Sequence, residues 1–189
     1  MTDFGGARKW AQELVLKHLT SGGFAIDTTT GNGYDTLWLC QTVGHDGSVL
    51  GFDIQEEAVS RTHARLAEAG LEDIATLVNA GHERMDEYAK KQADAIVFNL
   101  GWLPGSPHEC TTKLKTTLIA VDKALALLKI GGVLTVCVYP GHPEGEREKA
   151  ALLNWAKELD DKKFDCVVFG YANIKKQPPF LIAVTKRKE

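Results

Sequence analysis

A run of short polar residues and glycines, AIDTTTGNGYDT at residues 25–36, lies between an apolar segment and a segment typical of a helix. The apolar segment, Phe24 to Asp27, predicts a first strand, and Gly31 and Gly33 fall in the turn after it. In open α/β sheets the ligand crevice lies at the carboxyl ends of the strands, and glycines let a ligand approach the backbone closely. The turn therefore indicates a ligand site, although a purely structural turn has the same glycines.

A carboxylate, Asp53, ends the second predicted strand, which runs from Val49 to Asp53, and it lies 22 positions after Gly31. An acidic side chain at this point of a nucleotide-binding unit accepts hydrogen bonds from ribose hydroxyls. The alternative is that Asp53 caps the helix that begins near Glu56. The turn and Asp53 together favour a nucleoside ligand. The dinucleotide fingerprint GxGxxG is incomplete, because Thr36 stands at its third glycine.

The order of elements predicts a single α/β domain over residues 1–189. Short apolar runs indicate buried strands, and helix-compatible segments separate them, as in repeated βαβ units. The clearest helix is Thr112 to Leu128, where apolar residues recur at steps of three and four and the KIGG sequence is typical of a helix end. A second helix is predicted from Glu56 to Ala69. The remaining parallel strands are predicted at Thr76 to Val78, Ala95 to Asn99 and Val133 to Tyr139.

The last two strand-like runs, DCVVFGYA and PFLIAVTK, change this pattern. The segment between them is too short for a helical crossover, so the two strands are expected to pair antiparallel. A mostly parallel sheet that ends in an antiparallel pair is characteristic of the class I methyltransferase fold, and it differs from an all-parallel dehydrogenase domain.

Composition and charge exclude several classes of protein. The chain has 44% hydrophobic and 25% charged residues, and its apolar runs are shorter than the roughly 20 residues of a membrane span. Without a signal-peptide pattern, a cytoplasmic location is expected. The four cysteines are widely separated, so neither a metal site nor a disulfide framework is expected. A net charge of −3 argues against a general nucleic-acid coating protein, and the basic residues at 175–176 and 186–188 either contact phosphates or are simply solvated.

The whole chain resembles the family of putative rRNA methylases, small class I methyltransferases that use S-adenosylmethionine. Asp27, Gly31 and Gly33 are similar to the D-x-G-x-G-x-G loop of such enzymes, with Thr29 at the position of the first glycine. The segments GFDIQ, NLGWLPG, YPGHPEG and PPFLIAV sharpen the match. The resemblance implies a Rossmann-like fold with a mostly parallel seven-stranded sheet, an antiparallel hairpin at its end, and helices on both faces.

The resemblance also implies an activity. Characterised members methylate the aminomethyl group of 5-aminomethyl-2-thiouridine at the wobble position of tRNA, so the expected cofactor is S-adenosylmethionine and the expected partner is the anticodon loop of tRNA. A methyltransferase for rRNA or a small molecule has the same fold. A nucleotide-binding module without catalysis is a further alternative. The oligomeric state, monomer or homodimer, stays open.

The resemblance also implies which residues form the site, from the positions that match the family's motifs. The fourth strand ends at Asn99, where methyltransferases acting on nitrogen carry an N-P-P-Y-type tetrad; here the tetrad is NLGW, so the mechanism of the adenine-directed enzymes cannot be transferred. Methyl transfer depends mainly on alignment, and an amine also needs a group that takes its proton. The candidates for that group are Asp35, Tyr139 and His142, while Trp102 and Tyr139 are placed to stack on a base or to cover the core.

The expected catalytic residues are Asn99, Tyr139 and His142. The expected cofactor-binding residues are Asp27, Thr29, Gly31, Asn32 and Gly33 for the methionine part, Asp53 and Gln55 for the ribose, Gly81 and His82 for the adenine, and Asn99.

Overall fold

Seven strands form one sheet in the computed structural model, which describes residues 4–101, 112–141, 143–175 and 178–188. The strands are β1 Phe24–Asp27, β2 Ser48–Asp53, β3 Ala75–Asn79, β4 Ala93–Asn99, β5 Leu128–Val138, β6 Phe164–Phe169 and β7 Phe180–Lys186. Their spatial order is β3-β2-β1-β4-β5-β7-β6. The first five strands are parallel, and β7 runs antiparallel to both β5 and β6. The predicted mostly parallel, seven-stranded sheet with an antiparallel end is therefore confirmed.

Helices cover both faces of this sheet, as the sequence predicted. They are α1 Ala7–Val15, α2 Tyr34–Val43, α3 Glu56–Glu68, α4 Met85–Tyr88, α5 Leu114–Leu127 and α6 Pro143–Glu158. Buried residues of α4, α5 and α6 pack on one face, and those of α1, α2 and α3 pack on the other. Among the described residues, no helix combines the length and the apolar character needed to cross a membrane.

The central strands are apolar on both faces because each face carries helices. In β1, Ala25 belongs to the core under α1 to α3, and the next residue, Ile26, belongs to the core under α4 to α6. The same alternation occurs in β4 between Ala95 and Ile96. Strand register is consequently fixed, because a slip of one residue would exchange the two faces.

The segment KIGG is not a helix end, which corrects the sequence analysis. Helix α5 ends at Leu127, and Leu128 is already extended and pairs with Ala93 of β4. Gly131, with a φ of 80°, lies inside β5, where the register with β4 shifts. Pairing between strands thus overrides the capping signal. The other end of α5 begins two residues later than predicted, at Leu114, whose N–H donates to the Glu144 carboxylate of α6.

The antiparallel pair at the chain end is arranged in a way that the sequence pattern did not reveal. Strand β7 lies between β5 and β6, so the strand that comes earlier in the chain, β6, forms the edge of the sheet. Val167 and Val168 of β6 are half exposed, whereas Leu181 and Ile182 of β7 are fully buried. Burial of β7 against β5 explains why its sequence is the more apolar of the two.

We expect Leu134→Ala to lower the free energy of unfolding by about 2–5 kcal/mol, because Leu134 is fully buried in β5 and truncation leaves a cavity. Val167→Ala is the matched control on the edge strand. Val167 is 49% exposed, so its truncation should change stability by no more than about 0.5 kcal/mol. Urea unfolding measures both variants, and equal losses would contradict this placement of the core.

Candidate functional site

A cavity of about 890 Å³ lies at the carboxyl ends of the parallel strands. It is lined by the turn after β1, by the ends of β2 and β4, and by residues that follow β3 and β5. This volume falls within the roughly 300–1,000 Å³ of small-molecule and cofactor sites. The cavity brings together most of the residues that the sequence singled out: Thr29, Gly31, Asn32, Asp53, Gln55, Gly81, His82, Asn99 and Tyr139.

The turn after β1 is held by backbone groups of the neighbouring strands. Both the N–H and the hydroxyl of Thr28 donate to the carbonyl of Val97 in β4. The N–H of Thr30 donates to the carbonyl of Phe52 in β2. The turn is therefore fastened on both sides of β1, and its remaining polar groups face the cavity in a defined arrangement.

Glycine is required at position 33 for two reasons. Its φ of 79° lies in the left-handed region, and a Cβ there would approach the Cα of Thr62 in α3 to 2.9 Å. Helix α3 also holds the residue before it, because Arg65 donates to the carbonyl of Asn32 and Arg61 to its side chain. The turn and α3 are thus packed backbone against backbone. Gly33 itself is not among the residues that line the cavity.

The carboxylate of Asp53 makes two hydrogen bonds to backbone N–H groups, and neither of them caps α3. Its Oδ1 accepts the N–H of Gln55 at the start of α3, and its Oδ2 accepts the N–H of Gly31. The first contact closes a local turn just before α3, whose N-cap residue, Gln55, makes no side-chain capping bond, and the second contact ties β2 to the turn after β1. A carboxylate has about four acceptor positions, so Asp53, which also lines the cavity, keeps capacity for ligand hydroxyls.

Asp27 lies beneath the turn and is not among the lining residues. Its buried carboxylate accepts hydrogen bonds from the Thr36 hydroxyl at 2.6 Å and the Thr29 N–H at 3.1 Å. Burial, together with the negative charge of Asp35, raises the pKa of Asp27 to about 7. Asp27 is therefore placed to organise the turn from beneath, and its contact with the methionine part of the cofactor stays a prediction.

Thr29 has a structural role that explains the departure from glycine at this position. Its hydroxyl accepts the backbone N–H of Asn99, at 2.9 Å, and so joins the turn to the end of β4. The Asn99 side chain donates through Nδ2 to Asp35 at 3.2 Å, and Asp35 in turn accepts from Nε of Arg8 at 2.8 Å. A hydrogen-bonded chain therefore connects β4, α2 and α1 along the cavity wall.

Tyr139 follows β5 and lines the same part of the cavity as Asn99. Burial, with the nearby Cys137 and Asp35, raises the pKa of the Tyr139 phenol to about 12. The phenol stays protonated at neutral pH, so it can donate a hydrogen bond but cannot act there as a phenolate base. The other predicted residues of this rim, His142 and Trp102, lie outside the described residues.

Three cavity residues carry buried polar atoms that have no partner in the described part of the chain: Thr30 Oγ1, His82 Nε2 and Asn99 Oδ1. Burial lowers the pKa of His82, so its imidazole is neutral at neutral pH. Only one other buried side-chain atom of the described residues, Thr135 Oγ1, lacks a partner. Because buried polar groups are normally paired, their concentration at one cavity is typical of a site that binds a polar ligand.

Several cavity residues were not singled out from the sequence as site residues. Arg8 comes from α1, and Lys113 and Thr116 come from the start of α5, far from the motifs in sequence. No motif marks these residues in the sequence. The positive charge of Arg8 and Lys113 was their only indication of a binding role, and a cation on an amphipathic helix is usually just solvated. Ile54, Ala80 and Leu100 supply apolar wall, and Ile54 is 61% exposed, which is unusual for its side chain.

The basic residues near the chain end do not form one free cluster. Arg187 pairs with Asp165 of β6, and Lys186 is buried. Lys175 and Lys188 are exposed, and Lys176 lies outside the described residues. None of these described residues lines the cavity.

The described cysteines are free, and no group of three or more potential metal-binding side chains is found in the described ranges. Cys40 and Cys137 are buried. Burial raises the pKa of each of these two thiols to about 12, so neither is a reactive thiolate at neutral pH.

Comparison with known proteins gives consistent results. The sequence profile of the family described as "Putative rRNA methylase" matches residues 49–185. A crystal structure of a putative rRNA methylase from Clostridium thermocellum superposes with a TM-score of 0.95 at 36% identity, covering 98% of this chain and 100% of that one. SMU.1697c, a putative methyltransferase from Streptococcus mutans solved in complex with SAH, gives a TM-score of 0.88 at 33% identity, covering 96% and 98%.

One curated relative has a more specific description. A chloroplastic tRNA (mnm(5)s(2)U34)-methyltransferase of Arabidopsis thaliana is 33% identical over 180 residues. The match covers 90% of this chain but 65% of the plant protein, so the chain spans about two thirds of that relative's length.

We expect the stability of the wild type to fall relative to Asp27→Asn as the pH rises. The folded state binds the Asp27 proton more tightly than the unfolded state does, so the cost of ionising this buried group is absent below about pH 4 and complete above about pH 7. The change in the difference between the two unfolding free energies should reach about 4 kcal/mol. Denaturant unfolding at a series of pH values measures it, and a difference that stays constant with pH would show that Asp27 does not titrate in this way.

Proposed function

The chain belongs to the putative rRNA methylase family of class I methyltransferases, and we propose that it transfers a methyl group from S-adenosylmethionine to the aminomethyl nitrogen of 5-aminomethyl-2-thiouridine at the tRNA wobble position. The observation that carries the proposal is that the glycine turn after β1 and Asn99 line the same cavity and are joined through the Thr29 hydroxyl. The plant relative, described as acting on this tRNA nucleoside, supports the substrate, and the SAH complex of the bacterial relative supports the cofactor.

The cavity residues fit such a cofactor. Asp53 and Gln55 would hold the ribose, because a carboxylate with spare acceptor positions suits two hydroxyls. Gly81 and His82 would flank the adenine, where the neutral imidazole offers an Nε2 that has no partner among the described residues. The turn from Thr29 to Asn32 would line the methionine part. When bound, S-adenosylmethionine supplies a methyl group activated by a positively charged sulfur.

The residues on the acceptor side supply orientation more than acid–base chemistry. Asn99 Oδ1 has no partner in the described chain and can accept an N–H of a primary amine, which fixes the direction of the nitrogen lone pair. Tyr139, with its proton retained, bounds the space beside Asn99. The groups left to take the amine proton are Asp35, which also lines the cavity, and His142, which lies outside the described residues.

The alternatives differ in what they require of the cavity. A nucleotide-binding module without catalysis needs no opening toward an acceptor, whereas this cavity extends to Asn99 and Tyr139, which favours an enzyme. A ribosomal RNA substrate is favoured by the family's name alone. The cytoplasmic location expected from the sequence stays a prediction, since the plant relative is chloroplastic.

We expect the purified protein, with S-adenosylmethionine, to add one methyl group to 5-aminomethyl-2-thiouridine in tRNA from cells that lack this modification. Mass spectrometry of digested nucleosides detects the product. Asn99→Ala is the matched control, and it should lower kcat by about 10²-fold, because a misplaced nucleophile costs that much. Methylation of ribosomal RNA in place of tRNA would replace this substrate assignment by the alternative.

We expect Asp53→Ala to weaken S-adenosylmethionine binding by roughly 10- to 100-fold, because ribose hydroxyls lose a charged acceptor and the turn loses its contact at Gly31. Calorimetry of the folded variants measures the affinity. Asp53→Asn separates the two causes, since its amide retains one oxygen that can accept the Gly31 N–H. Glu56→Ala is the control. Glu56 is an exposed carboxylate at the start of α3, close to Asp53 in sequence, and it does not line the cavity. Unchanged affinity in Asp53→Ala would remove Asp53 from the site.

A further inference from the structure

The two ends of the Asn99 side-chain amide have different surroundings. Nδ2 donates to Oδ2 of Asp35 at 3.2 Å. Oδ1 is buried and has no hydrogen-bond partner in the described part of the chain, although Asn99 lines the cavity. The backbone is held independently, because the Asn99 N–H donates to the Thr29 hydroxyl. With the backbone held, the side-chain amide of Asn99 can still rotate by 180°, which would exchange the atom, Nδ2 or Oδ1, that faces Asp35.

The chemistry of Asp35 decides between these two orientations. An ionised carboxylate accepts hydrogen bonds and cannot donate them, so the NH₂ end of Asn99 must face it. A turn of the amide by half a rotation would place two acceptors against each other. The orientation that leaves the Asn99 oxygen for a bound molecule therefore depends on Asp35 being an acceptor only.

Arg8 completes this arrangement from the opposite side. Its Nε donates to Oδ1 of Asp35 at 2.8 Å, and a guanidinium has no acceptor atom. Asp35 therefore stands between two donors, Arg8 on α1 and Asn99 on β4. The Asp35 side chain is 17% exposed and the Arg8 side chain is 45% exposed, so Arg8 is the solvent-side end of this series of hydrogen bonds.

We infer that Asp35 is a positioning residue that fixes the amide of Asn99, so that Oδ1 is kept for an N–H of the acceptor amine, and that Arg8 fixes which atom of residue 35 faces Asn99. The inference rests on the proposed function for the nature of the acceptor. It assigns to Asp35 a role distinct from proton removal. It also gives the N-terminal helix a part in selecting a substrate that donates a hydrogen bond.

The variant Asp35→Asn tests this assignment with almost no change of shape. Arg8 can donate only to an oxygen, so it would take the amide oxygen of the new side chain and leave its NH₂ end toward Asn99. The amide of Asn99 would then turn, and its NH₂ end would replace Oδ1 as the group available to the substrate. In the double variant Arg8→Met/Asp35→Asn, no arginine holds the oxygen of the new amide. That oxygen can then accept from Asn99 Nδ2, which restores the wild-type orientation of the Asn99 amide.

In steady-state assays with the tRNA substrate, we expect Asp35→Asn to lower kcat about tenfold, with KM for tRNA changed by less than about twofold, because orientation is lost but binding is retained. Arg8→Met alone should lower kcat by less than about fivefold, as its partly exposed ion pair is weak. The double variant should recover most of the activity lost in Asp35→Asn. Additive losses in the double variant would overturn the inference, since simple structural damage gives that result.

Asp35→Leu supplies the matched control background. Leucine has no polar end, so Arg8 cannot select an orientation through it, and Arg8→Met should bring no recovery there. Recovery of equal size in the leucine background would mean that Arg8 acts on the substrate directly, and it would also overturn the inference.

A second readout needs neither cofactor nor tRNA. Nuclear magnetic resonance detects the side-chain NH₂ protons of Asn99, identified by their loss in Asn99→Ser. Their hydrogen exchange should be slow in the wild type, faster in Asp35→Asn, and slow again in the double variant. Identical exchange in all three proteins would refute the proposed orientation. If the wild type fails to methylate tRNA while this exchange pattern holds, the proposed substrate is wrong and the positioning by Asp35 stands.

Discussion

The arrangement of the cavity depends on the fastening of the turn after β1 to the strands on either side of it. The N–H and the hydroxyl of Thr28 donate hydrogen bonds to the carbonyl of Val97 in β4. The N–H of Thr30 donates a hydrogen bond to the carbonyl of Phe52 in β2. These bonds are available because β2, β1 and β4 are neighbours and parallel, so their carboxyl ends meet at one edge. Asp53 and Thr29 then add side-chain bonds that join the strand ends to the turn. Displacement of any of these strands would move the whole site.

This edge concentrates negative charge. Asp27, Asp35 and Asp53 lie close enough for Asp35 and Asp53 both to raise the pKa of Asp27, although burial is the larger cause. Two features offset the repulsion: Arg8 pairs with Asp35, and Asp35 lies in the first turn of α2, where the helix dipole favours an acidic group. The protein thus accepts an electrostatic cost at the place where acceptors for a ligand are needed, as is common at functional sites.

The departures from the family pattern have structural explanations. A threonine replaces the first glycine of the loop because its hydroxyl holds the Asn99 N–H, a contact that glycine cannot make. Asn99 stands without the N-P-P-Y-type tetrad, and in its place the protein holds the amide through a carboxylate on α2 and an arginine on α1. This part of the cavity wall is therefore built from three elements that are distant in sequence, α1, α2 and β4.

The sequence by itself determined the strand pattern, the glycine turn and about half of the polar residues that line the cavity. Apolar runs and glycines, which tolerate positive φ, are local features of the sequence. Parallel strands bring their carboxyl ends to one edge of the sheet, so Gly31, Asp53 and Asn99 were expected together. The tertiary structure alone decided the rest. Leu128 pairs with Ala93, which overrides the cap predicted at KIGG, and β7 is inserted between β5 and β6. Likewise, Asp27 is buried beneath the turn and Arg8 reaches Asp35, because side-chain burial and pairing depend on which helices pack on which face, and no local pattern records that.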